Sequence, residues 1–323
     1  MEWWCASTLQ LQLVSLQFCV ACRSVRLLHL NVNRRTPRYM WAFDGPAMET
    51  RRAKKLRSTR VPILRAKTVR WELPASSLAH SNDALSNLEY MCFMCKTAND
   101  WKEVVWPSGL KKIILHWKGS RVDDVRWPAS LETLVFDWFF NEPIDGVVWP
   151  ALQCLRPVGL FNHPIDRVVW PVTLRSLTLS TAFNQPIDRV AWPKSLERLS
   201  FGGAFNQALD QVVWPESLTQ LTFGSTFNQP IALVAWPASL KELEFGRRFN
   251  QPIHEVSWPE SLEEITFGSN FTWPIGEVMW PPSLKRVTLG LMCSLSTGGI
   301  VWPVSIEGMT WGSWYEFVDW NGF

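Results

Sequence analysis

A Trp-Pro pair returns at Trp106, Trp127, Trp149, Trp170, Trp192, Trp214, Trp236, Trp258, Trp280 and Trp302, at intervals of 21 or 22 residues. A fixed period of this length is the mark of a repeat architecture, and it outranks every local motif as a constraint on the fold. Three successive copies read WPKSLERLSFGGAFNQALDQVV from Trp192, WPESLTQLTFGSTFNQPIALVA from Trp214 and WPASLKELEFGRRFNQPIHEVS from Trp236. With Trp as position 1, apolar residues hold positions 1, 5, 8, 10, 14, 18 and 21.

The spacing of two between positions 8 and 10, as in Leu199-Ser200-Phe201, is strand alternation lasting only a few residues. Pro at positions 2 and 17 and Gly at position 11 exclude a helix across the remainder. One such unit cannot bury its own apolar side. Stacked copies can, by forming a continuous core in a coil. The chain is therefore expected to be a right-handed, β-solenoid-like array of about ten coils, each with one short parallel strand and an extended, Pro-containing convex side.

Stacking turns each position into a column. Trp at position 1 and Phe at positions 10 and 14 would form aromatic columns. Asn at position 15 (Asn141, Asn162, Asn184, Asn206, Asn228, Asn250) is either a ladder satisfying backbone groups where no strand partner exists, or a simple turn residue. Gly at position 11 implies a positive φ or a close backbone approach. Ser at position 4 is placed to bond back to the local backbone before the strand.

The unit L-x-x-L-x-F-G resembles the strand half of the leucine-rich repeat. Phe183-Asn184-Gln185-Pro186-Ile187 and Phe249-Asn250-Gln251-Pro252-Ile253 resemble the F-N-[IQ]-P core of FNIP repeats, and W-P-x-S-L-x-x-L-x-F resembles the short bacterial type. This resemblance covers Trp106 to Gly312. It implies a leucine-rich-type solenoid whose relatives serve mainly as protein-interaction modules.

Charge divides the chain. Residues 1–70 carry fourteen Lys/Arg against three Asp/Glu, and residues 71–323 carry eighteen against twenty-six, so +11 is followed by −8. Residues 1–70 are read as a basic, weakly structured segment. Residues 71–105 are read as degenerate capping repeats, 106–312 as the repeats proper and 313–323 as an aromatic C-terminal cap. Within the first segment, Leu9 to Ala21 is too short and too rich in Gln for a membrane span, and its start lacks the basic residues of a signal peptide. Residues 51–70 hold nine basic residues and no acidic one. Arg51, Arg52, Lys54, Lys55 and Arg57 form a candidate targeting patch for nucleic acid or anionic membrane, against the alternative of a solvated linker.

Seven scattered cysteines do not read as a disulfide framework, which favours an intracellular location, with secretion the alternative. Cys92-Phe93-Met94-Cys95 lacks a second ligand pair at zinc spacing, and no His stands near it in the sequence, so structural thiols are expected. His163 and His254 read as surface substitutions. Asp at position 19 (Asp145, Asp166, Asp188, Asp210) reads as a turn residue. No phosphate loop, nucleophile elbow or metal set is apparent, so no cofactor and no catalysis are expected.

Positions 7 and 9 flank the buried position 8 and should face outward. They vary in charge and size where the core does not. The candidate partner-binding residues on the concave, strand-lined face are Arg175, Arg198, Gln220, Glu242, Glu244, Glu264 and Arg286, for a protein or peptide not identified by the sequence. Two alternatives stand beside this. Thr or Ser at position 9 could present a water-, ice- or carbohydrate-binding face, or the array could be diverging with no fixed partner.

Overall fold

The computed structural model describes residues 29–32, 68–71, 88–94, 104–116, 122–290 and 300–312. The Leu9–Ala21 stretch, the basic patch from Arg51 to Arg57, Cys95 and the 313–323 tail lie outside the described residues. So does the degenerate half of the Trp280 copy. The chain divides into two compact units, one of Met1–Glu142 with Gly146–Cys154, the other of Pro143–Asp145 with Leu155–Phe323.

In the first unit, β1 (His29–Val32), β2 (Thr68–Trp71), β3 (Tyr90–Met94), β4 (Lys112–His116) and β5 (Thr133–Phe136) pair in parallel, each with the next in sequence. β1 falls inside residues 1–70, where composition alone suggests little structure. β6 (Cys154–Pro157) begins at the boundary between the units, in the copy that has lost a residue. That copy also contains Gly159, the one residue with positive φ, at 88°, among the described residues.

In the second unit, β7 (Ser176–Thr178), β8 (Arg198–Ser200), β9 (Gln220–Thr222), β10 (Glu242–Glu244), β11 (Glu264–Thr266), β12 (Arg286–Gly290) and β13 (Gly308–Gly312) are again parallel neighbours in chain order. The register joins like to like. Leu199 lies opposite Leu221, Leu221 opposite Leu243, and Leu243 opposite Ile265. This is the solenoid of 22-residue coils that the period predicts.

The coil from Trp192 closes through three short turns. Leu196 N–H donates to Pro193 O (3.0 Å), Phe205 N–H to Gly202 O (3.3 Å) and Val212 N–H to Leu209 O (3.1 Å). The first turn begins at the Pro of Trp-Pro, whose missing N–H is not needed there. The core is the set of apolar columns. In the coil from Trp214, Leu218, Leu221, Phe223, Phe227, Ile231 and Val234 are all buried. Trp214, Trp236, Trp258 and Trp280 stack at ring-centroid separations of 6.2 to 6.4 Å. The inner Phe column stacks at 6.1 Å from Phe205 through Phe227 and Phe249 to Phe271. The indole N–H groups of Trp192, Trp214, Trp236, Trp258 and Trp280 are buried without a hydrogen-bond acceptor. Stacking offsets that loss, and at Trp236 the ring also meets Phe245 edge-on at 79°.

The polar columns resolve the alternatives left by the sequence. Asn at position 15 is a ladder: Asn206 Oδ1 accepts the N–H of Asn228 (2.8 Å), and Asn228 Oδ1 accepts the N–H of Asn250 (2.8 Å). The following Gln reinforces it, since Gln251 Nε2 donates to both Asn228 O and Asn228 Oδ1. The ladder ends on Asn250, which accepts from the N–H and Oγ1 of Thr272 and whose carbonyl accepts from Trp273 Nε1. Gly at position 11 reflects close approach and not positive φ. A Cβ on Gly224 would lie 1.9 Å from Gly202 O.

The serine at position 4 needs correction. Its hydroxyl does not bond locally but reaches the preceding coil. Ser217 Oγ donates to Leu196 O (2.7 Å) and Ser239 Oγ to Leu218 O (2.7 Å).

Candidate interaction surface

The strands of the second unit present one row inward and two rows outward. Leu199, Leu221, Leu243 and Ile265 are buried, while the residues before and after each are half-buried or exposed. This brings Arg198, Gln220, Glu242, Glu264 and Arg286 into one row, each directly opposite the next. Glu244 stands one row further along, between Thr222 and Thr266.

These side chains engage one another. Gln220 Nε2 donates to Glu242 (2.9 Å), and Arg286 pairs with Glu264 and lies 3.7 Å from Glu307. Glu242 and Glu264 face each other across adjacent strands, an arrangement of like charges that costs stability. Burial pushes the Glu244 carboxyl above the usual carboxylate range, and a hydrogen bond from Thr222 opposes that shift.

Arg175 belongs to a different column. It occupies position 6, just before its strand, and pairs with Glu197 one coil on. Arg198 also reaches Glu197, at 3.4 Å. Position 6 carries a ladder of alternating sign that the sequence reading passed over. In the second unit it runs Arg175, Glu197, Thr219, Lys241, Glu263, Lys285, Glu307. The signal was present as opposite charges spaced by one repeat.

Glu263 lies between Lys241 (3.0 Å) and Lys285 (2.6 Å). Its hydrogen bond from Lys285, then that from Lys241, holds its carboxyl down at about 2 against an ordinary value of 4.5. A depressed carboxylate contributes stability above its unfolded pKa and loses it as pH falls through the folded one. Between pH 4.5 and 2 the thermal midpoint of the wild type should therefore fall more steeply than that of Glu263→Gln. Thermal scans across that range check this, and parallel curves would refute it.

The first unit holds a second cluster, and it corrects the expectation that no His stands near Cys92. His116 on β4 hydrogen-bonds Cys92 on β3, and its Nδ1 lies 3.3 Å from Asp137 Oδ2, just after β5. One turn of the coil brings residues about one repeat apart side by side, which linear spacing conceals. Asp137, and then Cys92, raise His116 to about 9. His254, by contrast, is a surface residue 3.7 Å from Glu255. Asp188 sits in an exposed turn beside Arg189, as expected for position 19. Among the described residues no cluster of His, Cys, Asp and Glu is arranged to hold a metal, and no helix is long and apolar enough to cross a membrane.

The FNIP Repeat family matches residues 161–204, 205–248 and 249–291. Among curated proteins none matches in sequence. Among solved structures, the chain is similar to the circular LRR protein CroV588, with 23% identity, a TM-score of 0.40, and coverage of 78% of this chain and 50% of that one. The chain thus spans half the length of that protein. It is also similar to a leucine rich cell surface protein from Faecalibacterium prausnitzii A2-165, with 8% identity, a TM-score of 0.17, and coverage of 91% of this chain and 89% of that one. Residues 161–291 thus match the FNIP Repeat model three times in tandem, and each match spans two of the 22-residue coils described above.

Proposed function

We propose that the chain is a non-enzymatic interaction scaffold that binds a protein or peptide on the strand-lined face of its second unit. The observation that carries this reading is the placement of Glu242 opposite Glu264, with Glu244 in the next row. Several other columns are self-consistent: Asn bonds Asn, Phe stacks on Phe, and the charged residues at position 6 alternate in sign. Like charges set face to face on adjacent strands work against the fold. A ligand that supplies Lys or Arg side chains relieves that repulsion, so the partner is a protein segment with basic residues. Arg198, Gln220 and Arg286 flank the site, and Arg175, committed to Glu197, borders it.

The Thr-face reading draws less support. Glu244 interrupts the row between Thr222 and Thr266, and Thr288 and Thr310 hydroxyls bond each other at 2.8 Å.

The test is affinity capture followed by direct titration. Proteins retained by the wild type but not by Glu242→Lys/Glu244→Lys/Glu264→Lys are identified, purified and titrated against both chains. The expected result is at least about a tenfold loss of affinity in the variant, with binding that weakens as salt rises. Because Glu244 and Glu264 are half-buried and Glu264 loses its Arg286 pair, circular dichroism at the assay temperature first establishes that the variant is folded. Equal affinity for both chains overturns the assignment of this face.

A further inference from the structure

The Cys92 cluster belongs to the first unit, whereas the residues of the proposed interaction face belong to the second. Cys92 is a free, half-buried thiol at the middle of β3. The register places it opposite Ile114 on β4, so His116, two residues further along β4, projects on the same side and within diagonal reach. Asp137 follows β5 and is itself held. Its Oδ1 accepts the N–H of Phe139 (3.2 Å), which leaves Oδ2 to the imidazole at 3.3 Å. The Asp137 side chain is 9% exposed and that of His116 30%, so the pair is partly shielded from water while remaining reachable. A cation held beside a sulfur by a third group is an arrangement that activates a thiol.

Part of this cluster occupies a repeat position that glycine holds from the Trp192 coil onward. Position 11 is Gly in five later coils because each lies against the preceding backbone. His116 and Asp137 occupy the same position in their own coils, on strands or strand ends that run further before turning. The other groups placed around Cys92 are Tyr90 on its own strand and Lys112 on β4, and the backbone register pairs residue 92 with residue 70 of β2. Lys112 sits over the Tyr90 ring at 5.5 Å.

We propose that Cys92, His116 and Asp137 form an ion-paired relay that makes Cys92 a site of covalent thiolation by low-molecular-weight disulfides. His116, held as an imidazolium by Asp137, stands beside the Cys92 sulfur and stabilises its thiolate, whose proton passes to water. The Cys92 thiolate attacks one sulfur of the disulfide. A new S–S bond forms to Cys92, the original S–S bond breaks, and the departing thiolate leaves with the electron pair and takes a proton from water. One thiol and one disulfide are consumed, and one mixed disulfide and one thiol are produced.

Cys154 provides the internal control, as a free, half-buried thiol on the same unit with no such relay. Reduced full-length protein is incubated with glutathione disulfide from pH 5.5 to 9, and adducts at each cysteine are quantified by peptide mass spectrometry. Cys95 is replaced by Ser so that it does not displace the adduct. At pH 6.5 Cys92 should react roughly five- to tenfold faster than Cys154, because a cation stands beside the attacking sulfur at one site and not at the other. The ratio should narrow toward pH 9, as His116 loses its proton. In His116→Asn it should fall close to one while the Cys154 rate is unchanged. If the variant unfolds, its Cys154 rate rises too, and the wild-type pH profile then decides. A ratio near one at pH 6.5 in the wild type, or a ratio untouched by His116→Asn in folded protein, overturns the proposal.

Discussion

Phe227→Ala should lower the unfolding free energy by about 4 kcal/mol, the cost of an unfilled cavity where a large buried ring is removed. Phe227 is fully buried and touches rings on every side. Phe223 lies 4.2 Å away within the coil, Phe205 and Phe249 6.1 Å away in the column, and Phe245 6.2 Å away diagonally. Neighbouring coils cannot close the gap, because their own spacing is fixed by strand pairing and by the Asn ladder on both sides. Guanidinium unfolding measures the loss. The denaturant slope should also fall, because a lesion in the middle of a linear array separates the coils on either side into less strongly coupled blocks. Val213→Ala is the control. Val213 is exposed, and its truncation should move the midpoint by less than about 0.5 kcal/mol. Similar losses in both variants would mean that the Phe column does not hold the coils together.

Gly224→Ala should be damaging for the opposite reason. The added methyl would lie 1.9 Å from Gly202 O, 2.4 Å from Gly202 C and 2.8 Å from Gly203 Cα. All three atoms are backbone, so no side chain can swing aside, and the two coils must separate locally. Overpacking of this kind costs about 3 kcal/mol or more. Gly203→Ala is the matched comparison: its Cβ would meet Ser225 Oγ at 3.4 Å and nothing closer. That variant should differ from the wild type by less than about 1 kcal/mol, with some of the effect coming from the unfolded chain. Thermal or denaturant midpoints for the two variants decide the matter. Equal effects would show that close approach is not what keeps glycine at position 11.

The period carried nearly all of the fold. Because the coil repeats every 22 residues, any property tied to a repeat position was readable: the Trp and Phe columns, the Asn ladder and the buried Leu of each strand. What escaped were relations between positions in neighbouring coils. Ser217 was expected to serve its own turn and instead serves Leu196, because the sequence does not say which carbonyl lies nearer. The sign alternation at position 6 was visible letter by letter, but its meaning depends on Glu263 lying within reach of both Lys241 and Lys285. Cys92, His116 and Asp137 are separated by 24 and 21 residues, and no short motif spans such distances. The outward row from Arg198 to Arg286 was legible, whereas the pairing of Glu264 with Arg286 required the side-chain geometry.

The Asn, Ser and Phe columns share one further property: each contact between coils recurs at the same offset from one coil to the next. A coil therefore offers its successor the same template that it received from its predecessor. Removing or duplicating a whole 22-residue segment would rejoin matching surfaces without disturbing any column, whereas inserting one residue would break all of them at once. Length in such a chain is consequently free to change by whole coils, and the reach of its outer face can be lengthened or shortened without redesigning the interior.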